Sequence, residues 1–327
     1  MKSESVKYRL RTFSAVMESA VRRNLEKQGY RFVGSHSAIK LCTWCKKAIK
    51  GEDVCYKNTF YGIQSWRCVQ SSVSMDVCTN RCQFCWRDIA HTKERWEGEA
   101  NEPKEIVDGL IKEHLKYLQG MKGCGSSDPK RLKESMEPLH FALSLSGESV
   151  LYPKLPELID EIKSRGMTSF VVTNGCSPEM MRKLLRRQPT QIYVTLAAPD
   201  KETYLKTCRP LIPDQWERLM ESLRILQKFG RSTIRLTLSK DLNMNNPEGY
   251  AKIINDNPVK FVEIKAAMAV GYSRYRIEYE KMPRHHEIVE FSKKICELTG
   301  LKIIAEKPNS RVTLLMKEDS EDRMLRF

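Results

Sequence analysis

The sequence of 327 residues lacks any long hydrophobic run. No apolar stretch approaches the roughly 18 residues that a membrane-spanning helix requires, and this excludes a membrane span. An apolar leader is also missing, because the first 20 residues carry six charged side chains. Secreted disulfide scaffolds are short and begin with such a leader. The eleven cysteines therefore indicate a reducing compartment, and we expect a cytoplasmic protein with no membrane partner.

Acidic residues are scarce relative to basic ones. The chain has 41 Asp and Glu against 56 Lys and Arg, a formal net charge of +15. Residues 1–50 hold twelve basic and three acidic side chains, so most of the excess lies near the start of the sequence. An excess of this size favours a polyanion such as RNA as the partner, and we predict a nucleic-acid-binding arm there. A solvated, charge-rich helix face is the alternative explanation.

Three cysteines follow one another at the spacing C-x3-C-x2-C in the stretch VCTNRCQFCW, namely Cys78, Cys82 and Cys85. Thiolate ligands favour zinc or iron–sulfur clusters over hard cations. A structural zinc site is normally closed by four protein ligands, whereas a cubane held by three cysteines keeps one iron free for another ligand. The number three therefore favours an iron–sulfur cluster. A zinc site completed by Cys68 or His91 is the alternative.

A second group of cysteines lies in residues 35–68, a segment with mixed loop and hairpin character. Cys42, Cys55 and Cys68 are separated by equal intervals of 13 residues, and Cys45 lies between the first two. The spacing alone is compatible with a zinc module that uses all four thiols and with a cluster that uses three.

From residue 69 onward, strand-like and helix-like patterns alternate, which is typical of a parallel sheet or barrel. The predicted strands are 69–75, 140–146, 168–173, 191–196, 233–238 and 261–265. The predicted helices are 103–119, 154–165, 178–187, 214–229, 247–255 and 285–298. Six such units predict an α/β fold, a partial (β/α)6 barrel of the TIM type.

Further elements are predicted on either side of this barrel and within it. A long amphipathic helix begins the sequence and ends before Gly29 and Gly34; its apolar face consists of Val6, Leu10, Phe13, Met17 and Ala20. The insert 120–137 is rich in Gly, Ser and charge and is predicted to be an exposed loop. Beyond residue 299, KIIAEK and RVTLLM are predicted edge strands. We expect two units, a basic helix with a cysteine-bearing extension (1–68) and the barrel with its edge elements (69–327).

Polar residues follow the first three predicted strands of the barrel. The carboxyl ends of barrel strands gather at one face, where catalytic residues collect. Gly147 and Glu148 follow the second predicted strand, and Thr173 and Asn174 lie at the end of the third. We therefore predict that these residues meet the three cysteines of the first loop in one site.

The first cysteine stretch resembles the signature of the radical S-adenosylmethionine (SAM) superfamily, C-x3-C-x-aromatic-C, with Phe84 as the aromatic residue. The resemblance implies a [4Fe-4S] cluster whose free iron binds SAM and from which a 5′-deoxyadenosyl radical is generated. Ser146, Gly147 and Glu148 resemble the Gly-Gly-Glu-like element that holds the methionyl amino group of SAM in that superfamily. Asn174, at the end of the next strand with Thr173, is expected to contact SAM as well.

The whole chain also resembles archaeal tRNA 4-demethylwyosine synthases, the radical SAM lyases of wybutosine biosynthesis. The resemblance rests on the basic N-terminal helix, the cysteines at 42, 55 and 68, and the motifs CTNRCQFCWRDIAHT, SLSGES, VVTNG, VTLAAPD and VEIKAAMAVGYSR. It implies that Cys42, Cys55 and Cys68 hold a second [4Fe-4S] cluster. It also implies that Lys57 forms a Schiff base with pyruvate.

In that family, two carbons of pyruvate are joined to N1-methylguanosine beside the anticodon of phenylalanine tRNA, and a third ring is closed. An unactivated methyl group has no acidic proton that a side chain could remove at neutral pH, so a radical must abstract hydrogen from it. The implied partners are the tRNA, pyruvate and an external electron donor. A monomer is expected.

Five further side chains are predicted to contact the substrate or the tRNA. Lys265 ends the sixth predicted strand, where a barrel interior rarely tolerates an unpaired charge. Trp86 and Arg87 follow the cysteine loop and are candidates for stacking on a base. Arg182 and Arg186 belong to a basic cluster on the helix after VVTNG. An internal ion pair, packing beneath the loop and a solvated helix face are the respective alternatives.

Three hypotheses about function follow from these patterns. The leading one is a radical SAM enzyme that modifies tRNA. The second is another radical SAM enzyme with an auxiliary cluster that acts on a peptide or protein. The third is a non-catalytic RNA-binding protein with two structural metal sites.

Overall fold

Ten strands form one mixed sheet in the computed structural model of the protein, which describes residues 19–122 and 127–327. The strands are β1 (Arg31–Val33), β2 (Ser37–Ile39), β3 (Cys68–Ser72), β4 (His140–Leu143), β5 (Thr168–Thr173), β6 (Gln191–Thr195), β7 (Ser232–Leu238), β8 (Phe261–Ala266), β9 (Lys302–Lys307) and β10 (Val312–Met316). They lie side by side in the order β1-β2-β3-β4-β5-β6-β7-β8-β10-β9. The six strands from β3 to β8 are parallel. Antiparallel pairs extend the sheet at both edges.

The described residues form eleven α-helices, of which the first three precede the parallel strands, the last follows them and the others connect them. They are α1 (Ser19–Lys27), α2 (Thr43–Ile49), α3 (Tyr56–Tyr61), α4 (Pro103–Lys122), α5 (Pro129–Ser135), α6 (Leu155–Ser164), α7 (Pro178–Arg186), α8 (Lys201–Cys208), α9 (Gln215–Leu226), α10 (Pro247–Asp256) and α11 (His285–Thr299). Each parallel strand is followed by at least one helix, as a βα repeat requires. The predicted α/β fold with six parallel strands is confirmed, and the predicted strand 168–173 coincides with β5.

Successive side chains of the parallel strands point into two different apolar cores. Val171 belongs to the large core that the strands share with the surrounding helices. Its neighbour Phe170 belongs to a second core, together with Tyr193 of β6 and Phe261 of β8. Phe60 of α3 lies in this second core as well. Because side chains alternate between the faces of a sheet, α3 packs on the inner face of the curved sheet.

The predicted loop 120–137 is wrong in part. α4 extends to Lys122, and α5 occupies Pro129–Ser135. The second helix begins at a strong start signal, because Asp128 accepts a hydrogen bond from the backbone N–H of Arg131 (3.0 Å) and proline follows it. Residues 123–126 lie outside the described part of the chain.

The segment before the barrel holds more helix than expected. β1 and β2 pair as an antiparallel hairpin, but α2 and α3 occupy part of the segment 35–68 that was expected to be loop and hairpin. α1 is the last part of the predicted N-terminal helix, and Gly29 follows it with φ 86°. Residues 6–18 of that helix lie outside the described residues. β2 pairs directly with β3, and the division between 1–68 and 69–327 stays a prediction.

β9 and β10 are the two strands predicted beyond residue 299, and they extend the sheet at this side, with β9 as its edge. In residues 19–122 and 127–327, we find no helix that combines the length and the apolar character needed to span a membrane.

The imidazole of His114 on α4 predicts an acid-sensitive step in stability. It is fully buried, and neither ring nitrogen has a hydrogen-bond partner among the described residues. Burial lowers the pKa of His114 to about 4 from its ordinary 6.5. The unfolded chain therefore binds more protons than the folded one between these values, so stability falls as the pH drops through this window, by on the order of 3 kcal/mol in total.

Replacing this histidine should flatten the acid limb of the stability profile. We expect His114→Leu to lose less melting temperature than the parent protein between pH 7.5 and pH 5, because leucine takes up no proton when the chain unfolds. His286→Gln, on the exposed face of α11, serves as the control and should follow the parent curve. Parallel curves for His114→Leu and the parent would contradict the assignment.

Candidate active site

The loop that carries Cys78, Cys82 and Cys85 follows β3 and is held in place by backbone hydrogen bonds. The N–H of Cys78 donates to the carbonyl of Lys93 (2.8 Å). The N–H of Gln83 donates to the carbonyl of Thr207 (2.9 Å), at the end of α8. The loop conformation is therefore set by elements far away in sequence, and the three thiols are presented on a fixed frame.

A cavity of about 270 Å³ lies at the carboxyl ends of the strands, beside this loop. Its volume is close to the lower end of small-molecule sites, roughly 300 Å³. The structure brings together in its wall the residues that the sequence places after three successive strands, namely Cys78, Cys82, Cys85, Gly147, Glu148, Thr173 and Asn174.

Asn174 connects the three strand ends to one another. Its Nδ2 donates to Thr79 Oγ1 (3.1 Å) and to the Cys78 thiol (3.7 Å). Its backbone N–H donates to Glu148 Oε2 (2.8 Å). One residue, through its side chain and its backbone N–H, thus links a cysteine to the buried carboxyl group of the next loop.

The carboxyl group of Glu148 has a perturbed pKa. Burial raises it to about 7, although hydrogen bonds from Thr173, Asn174 and Val150 favour the ionised form. A carboxylate in this setting is stabilised when a cationic ligand group binds next to it.

Gly147 is the residue of the cavity wall with the least room for a side chain. Its φ is 74°, and a Cβ atom would lie 1.6 Å from the carbonyl oxygen of Ser74. The two residues form an isolated parallel bridge. Only glycine permits this close approach, which joins the second strand loop to the end of β3.

We expect Gly147→Ala to destabilise the protein by at least about 3 kcal/mol, because the backbone carbonyl of Ser74 cannot move aside without breaking the bridge. Gly300→Ala is the matched control. Gly300 has a similar φ of 71° but no atom within 4 Å of its Cβ position. That variant should cost only about 1 kcal/mol. Thermal unfolding measures both, and equal losses would contradict the close-approach explanation.

Arg87 lies beneath the cysteine loop. Its guanidinium donates to Thr92 Oγ1 (2.9 Å) and to the carbonyl of Asn80 (3.2 Å). Burial by itself lowers the pKa of Arg87, but the neighbouring cysteines, Cys78 foremost, raise it above its ordinary value. The charge therefore faces the thiols, where it favours their ionised form.

Arg276 is a part of the site that sequence reasoning missed. Its guanidinium donates to the backbone carbonyls of Gln83 (3.1 Å), Cys85 and Arg87 (3.3 Å). Three carbonyls of the cysteine loop thus share one cation from the chain segment after β8. The sequence gives only a weak signal for this role, because the distance along the chain between Arg276 and the cysteines matches no known motif.

Cys208 is a second addition to the site. It has no spacing partner in the sequence, yet it ends α8 and lines the same cavity. A hydrogen bond with the Cys208 thiol, and then burial, raises the pKa of Cys82 well above its ordinary value.

The wall of the cavity offers three cysteines together with polar side chains, a donor set that fits a cubane held by three thiolates and a small polar ligand. Among residues 19–122 and 127–327, no three His, Cys, Asp or Glu side chains are arranged to hold one metal ion. Zinc needs its ligands around one ion, whereas in a cubane each cysteine binds a different iron. Asn80 lines the cavity with its Oδ1 buried and without a hydrogen-bond partner among the described residues, as expected where a polar ligand is to bind.

The second cysteine group lies on the segment that enters the barrel. Cys42 and Cys55 directly precede α2 and α3, and Cys68 begins β3. Burial raises the pKa of Cys68 to about 12 and that of Cys55 to about 11, while the nearby Lys57 lowers both. Cys45 faces the same three thiols and is fully buried. All four cysteines are therefore neighbours, and the structure does not set Cys45 apart from the group.

Lys57 is a buried lysine whose amine faces aromatic rings. Its Nζ lies 4.7 Å from the ring centroid of Phe170 and 5.0 Å from that of Tyr193. The described residues offer it no ion pair or hydrogen bond, and its charge is opposed first by burial and then by Arg235, which lower its pKa. A lysine with a lowered pKa supplies the neutral amine that attack on a carbonyl requires.

Arg235 of β7 connects this amine to the first cavity. It lines the cavity of the cysteine loop, and its guanidinium lies 4.4 Å from the ring centroid of Tyr193. Its charge is paired with the buried carboxylate of Glu263 (2.9 Å), which also accepts a hydrogen bond from Tyr61 (2.7 Å). The two cysteine sites therefore share one polar network inside the barrel.

The other predicted contacts fall in different places. Lys265 is inside the barrel, where its Nζ donates to the carbonyl of Ser310 (2.8 Å) and burial lowers its pKa to about 8. Trp86 lines the cavity and is half-exposed. Arg182 and Arg186 lie on α7, and Arg182 is paired with Glu221. No residue of α7 belongs to the described lining of the cavity.

Two family models match the chain. The model described as the radical SAM superfamily matches residues 72–254, and the model described as wyosine base formation matches residues 256–317. The second match contains Arg276, the residue that clamps the cysteine loop.

Curated relatives and solved structures agree with these matches. The chain is 43% identical over 312 residues to an S-adenosyl-L-methionine-dependent tRNA 4-demethylwyosine synthase from Pyrococcus abyssi, which covers 93% of this chain and 90% of the relative. A structure of TYW1 with a lysine–pyruvate adduct bound is similar with a TM-score of 0.86 at 33% identity, over 95% of this chain and 100% of that one. A crystal structure of archaeal TYW1 has a TM-score of 0.78 at 31% identity, with the same coverage.

Proposed function

This chain belongs to the S-adenosyl-L-methionine-dependent tRNA 4-demethylwyosine synthase family, and on that premise we propose that it condenses N1-methylguanosine in phenylalanine tRNA with pyruvate to form the tricyclic 4-demethylwyosine base. The observation that carries the proposal is the buried amine of Lys57. It faces the same barrel interior as the cavity of the cysteine loop, through Arg235. A radical site and an amine for a keto acid are thereby combined in one barrel.

Cys78, Cys82 and Cys85 would hold the first [4Fe-4S] cluster. When bound, this cluster would supply one electron to SAM and so give a 5′-deoxyadenosyl radical. Glu148 would bind the positively charged amino group of SAM. Burial raises the pKa of this carboxyl group, and a cationic partner would stabilise its ionised form. Asn174 would hold the Cys78 thiol and Glu148 at a constant separation. Thr173 would complete this wall.

Cys42, Cys55 and Cys68 would hold a second [4Fe-4S] cluster. Burial raises the pKa of the Cys55 and Cys68 thiols, so a bound metal would be needed to hold them as thiolates. Pyruvate bound to Lys57 would lie between this second cluster site and the cavity of the first. We assign no ligand role to Cys45, the fourth thiol of the group.

Lys57 would attack the keto carbon of pyruvate and form an imine with loss of water. Hydrogen abstraction from the N-methyl group of the guanosine would leave a carbon radical, which would add to the same pyruvate carbon. Scission of the bond to the carboxylate carbon would then restore the carbon–nitrogen double bond and expel that carbon as the radical anion of carbon dioxide, which carries away the unpaired electron. The imine nitrogen would finally be exchanged for the amino group of the guanine, which closes the third ring and frees Lys57.

Two partners complete the proposal. The tRNA would be attracted by the basic residues of the first 50 positions, of which Arg23 and Lys27 are exposed on α1. An external reductant would supply the electron. We propose that the protein acts as a monomer in the cytoplasm.

Anaerobic reconstitution followed by turnover tests this function. Two clusters predict about eight iron and about eight sulfide per chain and a spectrum that changes when SAM is added. The reduced protein should convert tRNA with N1-methylguanosine into the tricyclic base only when SAM and pyruvate are both present. Stoichiometric zinc without iron would support the structural-metal hypothesis instead. Two clusters without turnover of this tRNA, but with turnover of a peptide, would support the second enzyme hypothesis.

A further inference from the structure

The chain segment after β8 carries exposed aromatic side chains beside the mouth of the cavity. Tyr275 and Tyr279 are each 70% exposed, and Trp86 of the neighbouring loop is 36% exposed. Together with Tyr272 and Arg274, we call these residues the aromatic platform. Scattered apolar residues on a surface are ordinary, but Trp86, Tyr272 and Tyr275 are joined to the site by direct contacts, and Tyr279 follows Tyr275 by four residues in the same segment.

Contacts join the platform to the cysteine loop. The N–H of Tyr272 donates to the carbonyl of Trp86 (2.8 Å), and Trp86 lines the cavity. Gly271 makes this approach possible, because a Cβ atom there would lie 2.5 Å from the same carbonyl. The ring of Tyr272 lies 6.1 Å from that of Tyr275 at an interplanar angle of 66°. The rings therefore extend outward from the cavity mouth.

Hydrogen bonds of a buried serine stabilise the turn that carries these rings. Ser273 is fully buried, and its hydroxyl accepts from the N–H of Val270 (2.9 Å) and lies 2.8 Å from the carbonyl of Met268. Ile277 is buried at the other end of the turn. The exposed tyrosines are thus fixed by an ordered backbone, so a ligand that stacks on them need not order the turn first.

The charge next to the platform suits a polyanion. Arg274 has its guanidinium 5.0 Å above the ring of Tyr275 and donates to its hydroxyl (3.0 Å). α1 touches the platform where Asn24 Nδ2 donates to the Tyr272 hydroxyl (3.1 Å). Arg23 and Lys27 on the same helix are exposed, and neither has an acidic partner among the described residues. Two exposed carboxylates, those of Glu278 and Glu280, flank Tyr279 and limit how far a phosphate backbone can follow the turn.

We propose that the aromatic platform binds unpaired nucleotides of the tRNA loop by stacking, and that the adjacent cations of α1 bind the phosphates. This inference rests on the proposed function. A base that enters an enzyme cavity must leave its stack, and its neighbours then lose stacking partners. Aromatic rings and arginine planes replace such partners for single-stranded RNA, whereas paired RNA offers no free base faces.

Binding of a fluorescent RNA stem–loop to the reconstituted protein tests the platform. Tyr275→Ala and Tyr279→Ala should each weaken binding of the stem–loop about tenfold and leave binding of a fully paired duplex unchanged. Tyr275→Phe should retain the parent affinity because the ring is kept. Leu298→Ala, at an exposed apolar residue on α11 away from the platform, is the control and should change neither affinity.

The salt dependence separates stacking from phosphate contact. Lys27→Ala should reduce the slope of log affinity against log salt by about one, and Tyr275→Ala should leave that slope unchanged. Unchanged affinity in both tyrosine variants would overturn the proposal, and so would an equal loss for the duplex or for Tyr275→Phe. None of those outcomes would contradict the proposed function if the parent protein still modifies the tRNA. A parent protein that does not bind the stem–loop would refute the proposed function.

Discussion

Lys57→Arg is expected to abolish trapping of pyruvate on the protein and to lower the rate of tricyclic base formation by about a thousandfold or more, because arginine keeps the positive charge but cannot form an imine. We propose the amine of Lys57 as the reactive one, since burial and Arg235 lower its pKa and the described residues offer its Nζ no hydrogen bond. Borohydride reduction in the presence of labelled pyruvate measures the adduct directly. Iron content and cleavage of SAM should be unchanged in the same variant.

Lys265→Arg provides the matched control for this prediction. Lys265 is the second buried lysine of the barrel, with a pKa lowered to about 8, but its amine already donates to the carbonyl of Ser310. Labelling by pyruvate should therefore survive in Lys265→Arg. Full labelling of Lys57→Arg, together with its loss in Lys265→Arg, would move the imine to the other lysine.

Cys78→Ala has the second large expected effect, on the radical half of the site. The variant should contain about four iron instead of about eight after reconstitution, should lose the spectral change on addition of SAM, and should form no tricyclic base. Pyruvate should still be trapped on Lys57, because that amine lies in the other cysteine group. Iron analysis, SAM titration and borohydride trapping on one preparation measure all three quantities.

Two control variants bracket this prediction. Cys42→Ala should lose the other four iron and keep the spectral response to SAM, since Cys42 belongs to the second group. Cys296→Ala, a half-buried thiol on α11, should keep about eight iron. If Cys78→Ala retained all its iron and its turnover, the assignment of the first cluster would be wrong.

The barrel was predictable from the sequence because its strands have strong local signals. TSFVVT is bounded by turn residues and coincides with β5, and the other five parallel strands were predicted with small shifts at their ends. The meeting of Gly147, Glu148 and Asn174 also followed from topology, since parallel strands end at the same face.

Short helices were less accessible to the same reasoning. α2 and α3 have seven and six residues, so neither completes two turns, and no amphipathic period distinguishes them from loop. α8 was missed for a similar reason, with eight residues between two loops. These elements are stabilised by the contacts they make, as α3 is inside the barrel, and not by their own pattern.

Individual hydrogen bonds and ion pairs between residues distant in sequence could not be predicted, although the strand ends that share one face could. Arg276 clamps the cysteine loop from nearly 200 positions away, as its separation of 191 residues from Cys85 shows. The pair of Arg235 and Glu263 lies on neighbouring strands whose sequences would equally fit a solvent-exposed face. The register of β7 with β8 places these two residues opposite each other. The buried ion pair depends on that register.

The fate of each pyruvate carbon is the most direct test of the central claim that Lys57 and the cysteine-loop cavity act on one substrate pair. The reconstituted protein would be supplied with tRNA containing N1-methylguanosine, SAM, a reductant and pyruvate labelled with ¹³C at defined positions. The expected result is a tricyclic base that is two mass units heavier with label at C2 and C3 and unchanged with label at C1. A base that retains the C1 label, or one that forms without any carbon from pyruvate, would contradict the claim.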